Sequence, residues 1–466
     1  MMTLTTPRAL SALLVLAAVG AGPAAAAAPP APGTPVDVLA RRLDTLARPG
    51  GLTAADAGRR AAEIAPAVKR KAATVTERDA ATTATELQRV PTVAATLSYT
   101  RLSEVDMPEL APGVTIPQVL DNWVIRLELS IPLTDYLLRF PALVSASELR
   151  ARAARADVDA AEAQAAAQGR EAYWQWVRAS LRVAVAEQSL AQVQATVAQM
   201  EARVEAQRAS KADLLRLKAQ AAEARRGVIV AQEAAALAER QLRQLIGAGP
   251  DEALAIGEDV LAAPAAPAAL DAPVGDLVTR ALGQRSETKT LDLAIAALDA
   301  SDDATEAGLW PRLDAFASVD YDNPNSRVFL GGERFDATWM AGVRLSWRLG
   351  DALAVAPQQD QLRAQVIALR ADKENLARQL ELAIADALRA VRVAVATRET
   401  TTEAEAAAEE GYRIRAELLA NDRATAVELV DAETELTRTR FQEVDALIDL
   451  RVALSNLAYA LGEEVQ

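Results

Sequence analysis

The sequence predicts a mainly α protein with four β-strands, organised as an internal twofold repeat of long antiparallel helical hairpins. Three observations lead there. Two uninterrupted stretches have helix-favouring composition, four segments alternate apolar and polar residues, and one segment recurs at a constant shift along the chain.

The recurrence places 78–91 (RDAATTATELQRVP) over 298–311 (LDASDDATEAGLWP) without a gap. Asp79 falls on Asp299, Ala84-Thr85-Glu86 on Ala304-Thr305-Glu306, and Pro91 on Pro311. Each half then closes on a Leu-bearing helix end followed by a helix-stopping glycine, Gly247 and Gly462.

After Pro91 the period changes to two. In 122–133, Trp123, Ile125, Leu127, Leu129, Ile131 and Leu133 alternate with a mostly polar set, and 91–102 alternates less cleanly through Val93, Ala95, Leu97 and Tyr99. These predict a hairpin across a loop at 103–121. The second half repeats it. Leu313, Ala315, Ala317, Val319 and Tyr321 form one face of 311–321, and Phe335, Trp339, Val343, Leu345, Trp347 and Leu349 form one face of 334–351, with a loop between them containing Gly331-Gly332.

Residues 142–208 and 357–419 are rich in Ala, Glu, Arg, Leu and Gln, with Gly169 and Gly411 as the main interruptions. A helix of about 65 residues is roughly 100 Å long, far beyond an ordinary globular helix. Leu376, Leu380, Ile384, Leu388, Val391 and Val395 make one apolar stripe, so the helix must lie on partners. Short polar breaks, 208–213 and 419–425, precede returning helices at 213–247 and 426–461. An Ala/Pro-rich linker, 261–273, joins the halves.

Composition narrows the chemistry. A formal net charge of -14 argues against a nucleic-acid partner. With no Cys and no His, the chain has no disulfide, thiol nucleophile, imidazole base or zinc site of the usual kind, and no lipid anchor on an N-terminal cysteine. Arg8, an apolar run from Ala9 to about Val19 and Ala-x-Ala sites between Ala24 and Ala28 read as a secretory signal peptide. An exported chain without a transmembrane helix is therefore expected. Its apolar strand faces then meet either each other in a β-domain or lipid. Four strands cannot close a membrane barrel, and open edges are not tolerated in lipid. The sheet either stays out of the membrane, or several chains share one barrel.

The order signal peptide, helix, β-hairpin, very long helix and returning helix, given twice, resembles the TolC outer-membrane efflux protein family over essentially the whole mature chain. Segments that carry the likeness are GLWPRLDAFASVDY, AEAQAAAQGREAYWQW, EQSLAQVQATVAQMEARVEAQRASKADLLRLKAQ and ELLANDRATAVELVDAETEL. The resemblance implies a homotrimer whose strands form one 12-stranded outer-membrane barrel in contact with lipid, above a periplasmic helical tube. It also implies a periplasmic adaptor (membrane fusion) protein and an inner-membrane transporter of the RND, ABC or MFS type as partners, no cofactor, and passive export in multidrug efflux or type I secretion. On this basis the chain divides into a signal peptide (1–28), a helical segment (29–90), a barrel hairpin (91–135), long and returning helices (136–250), a linker (251–274), a helix (275–310), a second barrel hairpin (311–350) and the second pair of helices (351–466).

Two acids stand out, Glu428 and Asp431, on one face of the second returning helix. By resemblance they ring the narrow periplasmic aperture, where converging carboxylates favour cations over anions. They are also explained as solvated charges near a helix N-terminus, favoured by its dipole. Aligning the two glycine ends puts Asp213 opposite Glu428 and Arg216 opposite Asp431. Asp213 resembles a position that holds the aperture closed, and Arg423 is the candidate donor in a turn that lacks the family's usual Tyr and Arg. Tyr99, Trp123, Tyr321, Trp339 and Trp347 are candidates for aromatic girdles, while Trp174 and Trp176 fall in a helix, where packing is the expected role. Two other functions compete. A soluble periplasmic coiled-coil adaptor or scaffold would need compact glycine-rich β segments, which the sequence lacks. A carboxylate-pair enzyme would need acids from different elements facing one cleft.

Overall fold

The computed structural model describes residues 47–105, 118–262, 264, 267–328, 334–421 and 423–463. The signal-peptide segment, Gly331-Gly332 and most of the 103–121 loop lie outside the described residues.

In chain order the elements are β1 (Ala47–Leu52), α1 (Ala54–Ile64), α2 (Pro66–Leu87), β2 (Thr92–Arg101), β3 (Asp121–Pro132), α3 (Leu133–Leu138), α4 (Phe140–Glu205) and α5 (Lys211–Ile246). The second half follows with α6 (Val274–Gln284), α7 (Ser286–Glu306), β4 (Arg312–Asn323), β5 (Asp336–Ser346), α8 (Leu349–Ala420) and α9 (Ala426–Leu461). The repeat is thus real in three dimensions. Both α1 and α6 have 11 residues, and both α5 and α9 have 36. Gly247 and Gly462 close α5 and α9 in the left-handed region, at φ of 67° and 73°, where a side chain is disfavoured and glycine is not.

The strands form one antiparallel sheet, in the order β2-β3-β4-β5. Register fixes the faces. Ala95, Leu127, Val319 and Trp339 lie in one row, and Leu97, Ile125, Tyr321 and Ala337 in the next. The opposite face carries Arg126, Glu128, Asp314, Asp320, Asp322, Asp336 and Arg344. The apolar face is largely exposed in the single chain, so the sheet does not fold its apolar sides onto each other.

Each strand runs directly from or into a helix, and α2, α4, α7 and α8 lie side by side in the order of the strands they join. Below them the long helices pair with the returning ones, α4 with α5 and α8 with α9, while α9 also packs on α4. Two related cores hold this together. One gathers Ala57, Tyr173, Trp174, Trp176, Leu181, Ile246 and Ile448, and the other Leu277, Ala281, Ile384, Leu388, Val391, Leu457 and Leu461. Trp174 and Trp176 are packing residues, edge to face or tilted against Tyr173. Among the described residues no helix is long and apolar enough to cross a membrane.

One boundary differs from the periodicity. The second long helix begins at Leu349, so Pro357 lies inside it. Proline has no N–H to give, so the helix gives up a backbone bond there and continues.

Candidate functional site: the hairpin tips

The two helical hairpins turn at 206–210 and 421–425, and their tips are built alike. At the first, the Arg208 N–H donates to the Arg203 carbonyl at 2.8 Å, and at the second the Arg423 N–H donates to the Leu418 carbonyl at 2.8 Å. These bonds, reaching back five residues, are the usual closure of a helix C-terminus. Arg423 therefore serves the turn through its backbone, and its repeat counterpart is Arg208. Among the described residues no ion pair or hydrogen bond joins its guanidinium to Asp213.

Each returning helix begins on a hydroxyl. Ser210 accepts from the Ala212 N–H at 3.1 Å. Thr425 accepts from the Glu428 N–H at 3.3 Å, while Glu428 accepts from the Thr425 N–H at 2.8 Å, a complete capping box. The backbone N–H of Thr425, and then its hydroxyl, hold the Glu428 carboxyl below the usual range. Asp213 holds the equivalent position in α5 and is half-buried, but its shorter side chain makes no reciprocal bond to the cap.

Along α9 one stripe is buried, Ala426, Leu429, Glu433, Leu436 and Arg440, and another is exposed, Glu428, Asp431, Glu435 and Arg438. Glu435 pairs with Arg438 at 2.5 Å. Asp431 stands exposed between the cap and that pair. Inside the tip, Met200, Leu217 and Ala426 pack with Val204, Leu214, Leu419 and Val430, which joins both hairpins in one small core. The Arg203 guanidinium donates to the Leu419 carbonyl at 2.5 Å, so a first-repeat arginine caps the end of the second-repeat helix. Sequence reasoning, searching near Arg423, had no signal for a partner 216 residues away.

Four of the five candidate girdle aromatics, Tyr99, Trp123, Tyr321 and Trp339, lie on the apolar sheet face. Tyr99 and Trp123 meet at 4.6 Å between ring centroids, near the loop end, and Tyr321 stacks on Phe335 at 5.0 Å. Trp347 is just beyond the other end of β5, while Trp339, 74% exposed, shares a row with Leu127 inside the belt.

A sheet with one face apolar except for the Arg101–Asp121 pair at its loop end, continued strand by strand into a wall of helices and then into paired hairpins, is the architecture of outer-membrane channels. Residues 57–248, from within α1 to just past the end of α5, match the family model described as outer membrane efflux protein. The fold is similar to that of the outer-membrane channel OprN (TM-score 0.70, 20% identity, covering 91% of this chain and 90% of that one). It is also similar to VceC from Vibrio cholerae (0.71, 20%, 87% and 95%) and to the open state of MtrE from Neisseria gonorrhoeae (0.69, 18%, 89% and 89%). No curated protein sequence matches the chain. The recognition made from the order of elements is borne out in the fold, which is that of outer-membrane efflux channels, with the first repeat also matching that family's model.

Proposed function

We propose that three copies of this chain share one barrel and one tube, through which cargo passes chemically unchanged from an inner-membrane transporter and periplasmic adaptor to the exterior. The observation that carries this reading is the four-stranded sheet itself. Its outward rows, from Val93 and Leu129 through Leu345 and Trp339, hold no charge, yet among the described residues its outer edges, on β2 and β5, have no further strand beside them. Such edges are intolerable in lipid unless further strands close the ring, and about eight strands are the minimum for closure. Copies of the same chain supply them, β5 of one beside β2 of the next. The 72-residue helix α8, roughly 110 Å long, then reaches deep into the periplasm.

Three tips meeting below would bring Glu428 and Asp431 of each copy toward one axis, with Asp213 and Arg423 near the seams. On the exposed stripe of α9, Glu428 is held by the cap and Glu435 by Arg438, while Asp431 has no ion pair or hydrogen bond among the described residues, which supports this placement for Asp431 more directly than for Glu428. A transporter of the RND, ABC or MFS class and a membrane fusion adaptor remain the partners this architecture fits. The test is native mass of the detergent-extracted outer-membrane fraction. A particle of three chains is expected, and a periplasmic monomer overturns the proposal.

A further inference from the structure

Above the tip, the packing between α4, α5, α8 and α9 is interrupted by a layer of buried polar groups. Leu429, Leu436 and Tyr412 pack on one side of it, and Val444, Leu447 and Ile448 on the other. Arg440 is 3% exposed, Glu433 4% and Glu405 7%. Glu433 is well satisfied, accepting from Ser189 at 2.5 Å, Thr437 at 3.0 Å and Gln220 at 3.2 Å. Arg440 is not. It donates to Gln192 at 3.3 Å, but its two carboxylate neighbours stand off, Glu405 at 3.8 Å from Nε and Glu409 at 3.7 Å from Nη2. Arg440 Nε and Nη2 and Glu405 Oε1 are buried without a hydrogen-bond partner.

The charges around this guanidinium do not balance. From α8 come Glu405 and Glu409, and from α9 Glu433 and Glu443, the last accepting from Thr401 at 2.6 Å. Tyr412 contributes a buried hydroxyl, and α4 brings only the uncharged Ser189, Gln192 and Thr196. Glu405, Glu409 and Glu433 thus face the Arg440 guanidinium, and Glu443 adds to the negative potential at Glu405. Removing the negative charge of the buried Glu405 relieves repulsion where water screens it little.

We propose that Glu405 and Arg440 form a proton-dependent latch that seats the α8–α9 hairpin against α4 and so sets the position of the tip carrying Glu428 and Asp431. The part of this that concerns the tip rests on the channel reading above. Protonated, Glu405 can donate into the layer, and the packed arrangement is favoured. Ionised, it leaves an excess of buried negative charge between two helices of the hairpin, and the seam loosens.

Burial pushes the Glu405 carboxyl up to about 7, with Glu443 and Glu409 adding to it and Arg440 opposing. When the seam opens to water, that group returns toward its ordinary value of 4.5. Between those values the packed state holds more protons, so packing is favoured on the acidic side and that contribution is lost as pH rises through about 7. The exposed aperture acid Glu428 titrates below the usual carboxylate range and is silent in this window.

Hydrogen exchange on the purified assembly tests the latch directly. After correction for intrinsic rates, protection of amides in 403–412 and 433–443 is expected to be roughly 10- to 30-fold greater at pH 5.5 than at pH 8. Glu405→Gln, neutral at both, keeps the high protection throughout, and Arg440→Gln moves the midpoint above that of the parent. Protection that ignores pH in the parent, or a full pH difference retained by Glu405→Gln, overturns the proposal. Planar-bilayer conductance then tests the tip. A closed fraction that follows the same midpoint and loses it in Glu405→Gln supports the coupling, and pH-independent conductance with pH-dependent exchange refutes it. A chain that never conducts counts against the channel reading, while the exchange result still decides the latch.

Discussion

The Glu428 carboxylate and the Thr425 backbone N–H are joined at 2.8 Å, and the Thr425 hydroxyl returns the bond to the Glu428 N–H. One of the two acids proposed for the aperture is therefore also the residue that caps the start of its helix. Thr425→Ala should cost about 1 kcal/mol, read from thermal or denaturant unfolding. Glu428→Gln, which can still reach back to the cap, should keep most of the box. Because the Glu428 carboxyl sits below its ordinary value of 4.5, its own contribution is present above that pH and fades on further acidification. A Glu428→Ala variant should accordingly differ from the parent at pH 7, and the difference should shrink as pH falls below 4.5.

Asp431 has no such structural duty, and the two acids should separate in function. Asp431→Asn alone is expected to reduce cation preference or cation block in planar bilayers while leaving stability within about 0.5 kcal/mol, as for an exposed surface site. Adding Glu428→Gln should deepen the effect. Records indistinguishable from the parent in the double variant would remove the pore role and leave Glu428 as a cap.

Strand faces, helix lengths and the repeat were legible in the sequence because each is a one-dimensional signal. Leu127 and Val319 share a face by period two alone, and Gly247 and Gly462 mark equivalent ends because only a residue without a Cβ takes that backbone cheaply. The tip was half legible: the spacing of Glu428 from Thr425 spells a capping box, which goes beyond a charge favoured by the helix dipole. Arg203, which caps the Leu419 carbonyl, was out of reach of any local pattern. The buried layer did leave a trace. Glu433, Thr437 and Arg440 fall at steps of four and three on the same stripe as Leu429 and Leu436, where an amphipathic helix should be apolar.

The proposed contact of one sheet face with lipid predicts a sharp distinction between neighbouring residues. Leu127→Arg, in a row well inside the belt, should destabilise membrane assembly by about 2–4 kcal/mol. Ala94→Arg points the other way and stands opposite Glu128 in register, so assembly should proceed. The measurement is recovery of heat-resistant oligomer from outer membranes. Equal recovery of both variants would mean that the apolar face does not meet lipid.

The two glycines that interrupt the long helices look equivalent in sequence, and the structure separates them. A Cβ at Gly169 would stand 2.6 Å from both the Ala57 carbonyl oxygen and the Ala61 Cβ, where α1 crosses α4. Backbone cannot give way as a flexible side chain can, so Gly169→Ala must push two helices apart in the core that holds Tyr173 and Trp174. Overpacking of that kind costs about 1–3 kcal/mol. At Gly411 nothing lies within 4 Å of the same position, and alanine is the better helix former by about 1 kcal/mol. Gly411→Ala should thus raise the unfolding midpoint while Gly169→Ala lowers it. If Gly411→Ala instead weakens the assembly without weakening the isolated chain, a neighbouring copy packs closely on α8 at that level, and the glycine is there to admit it.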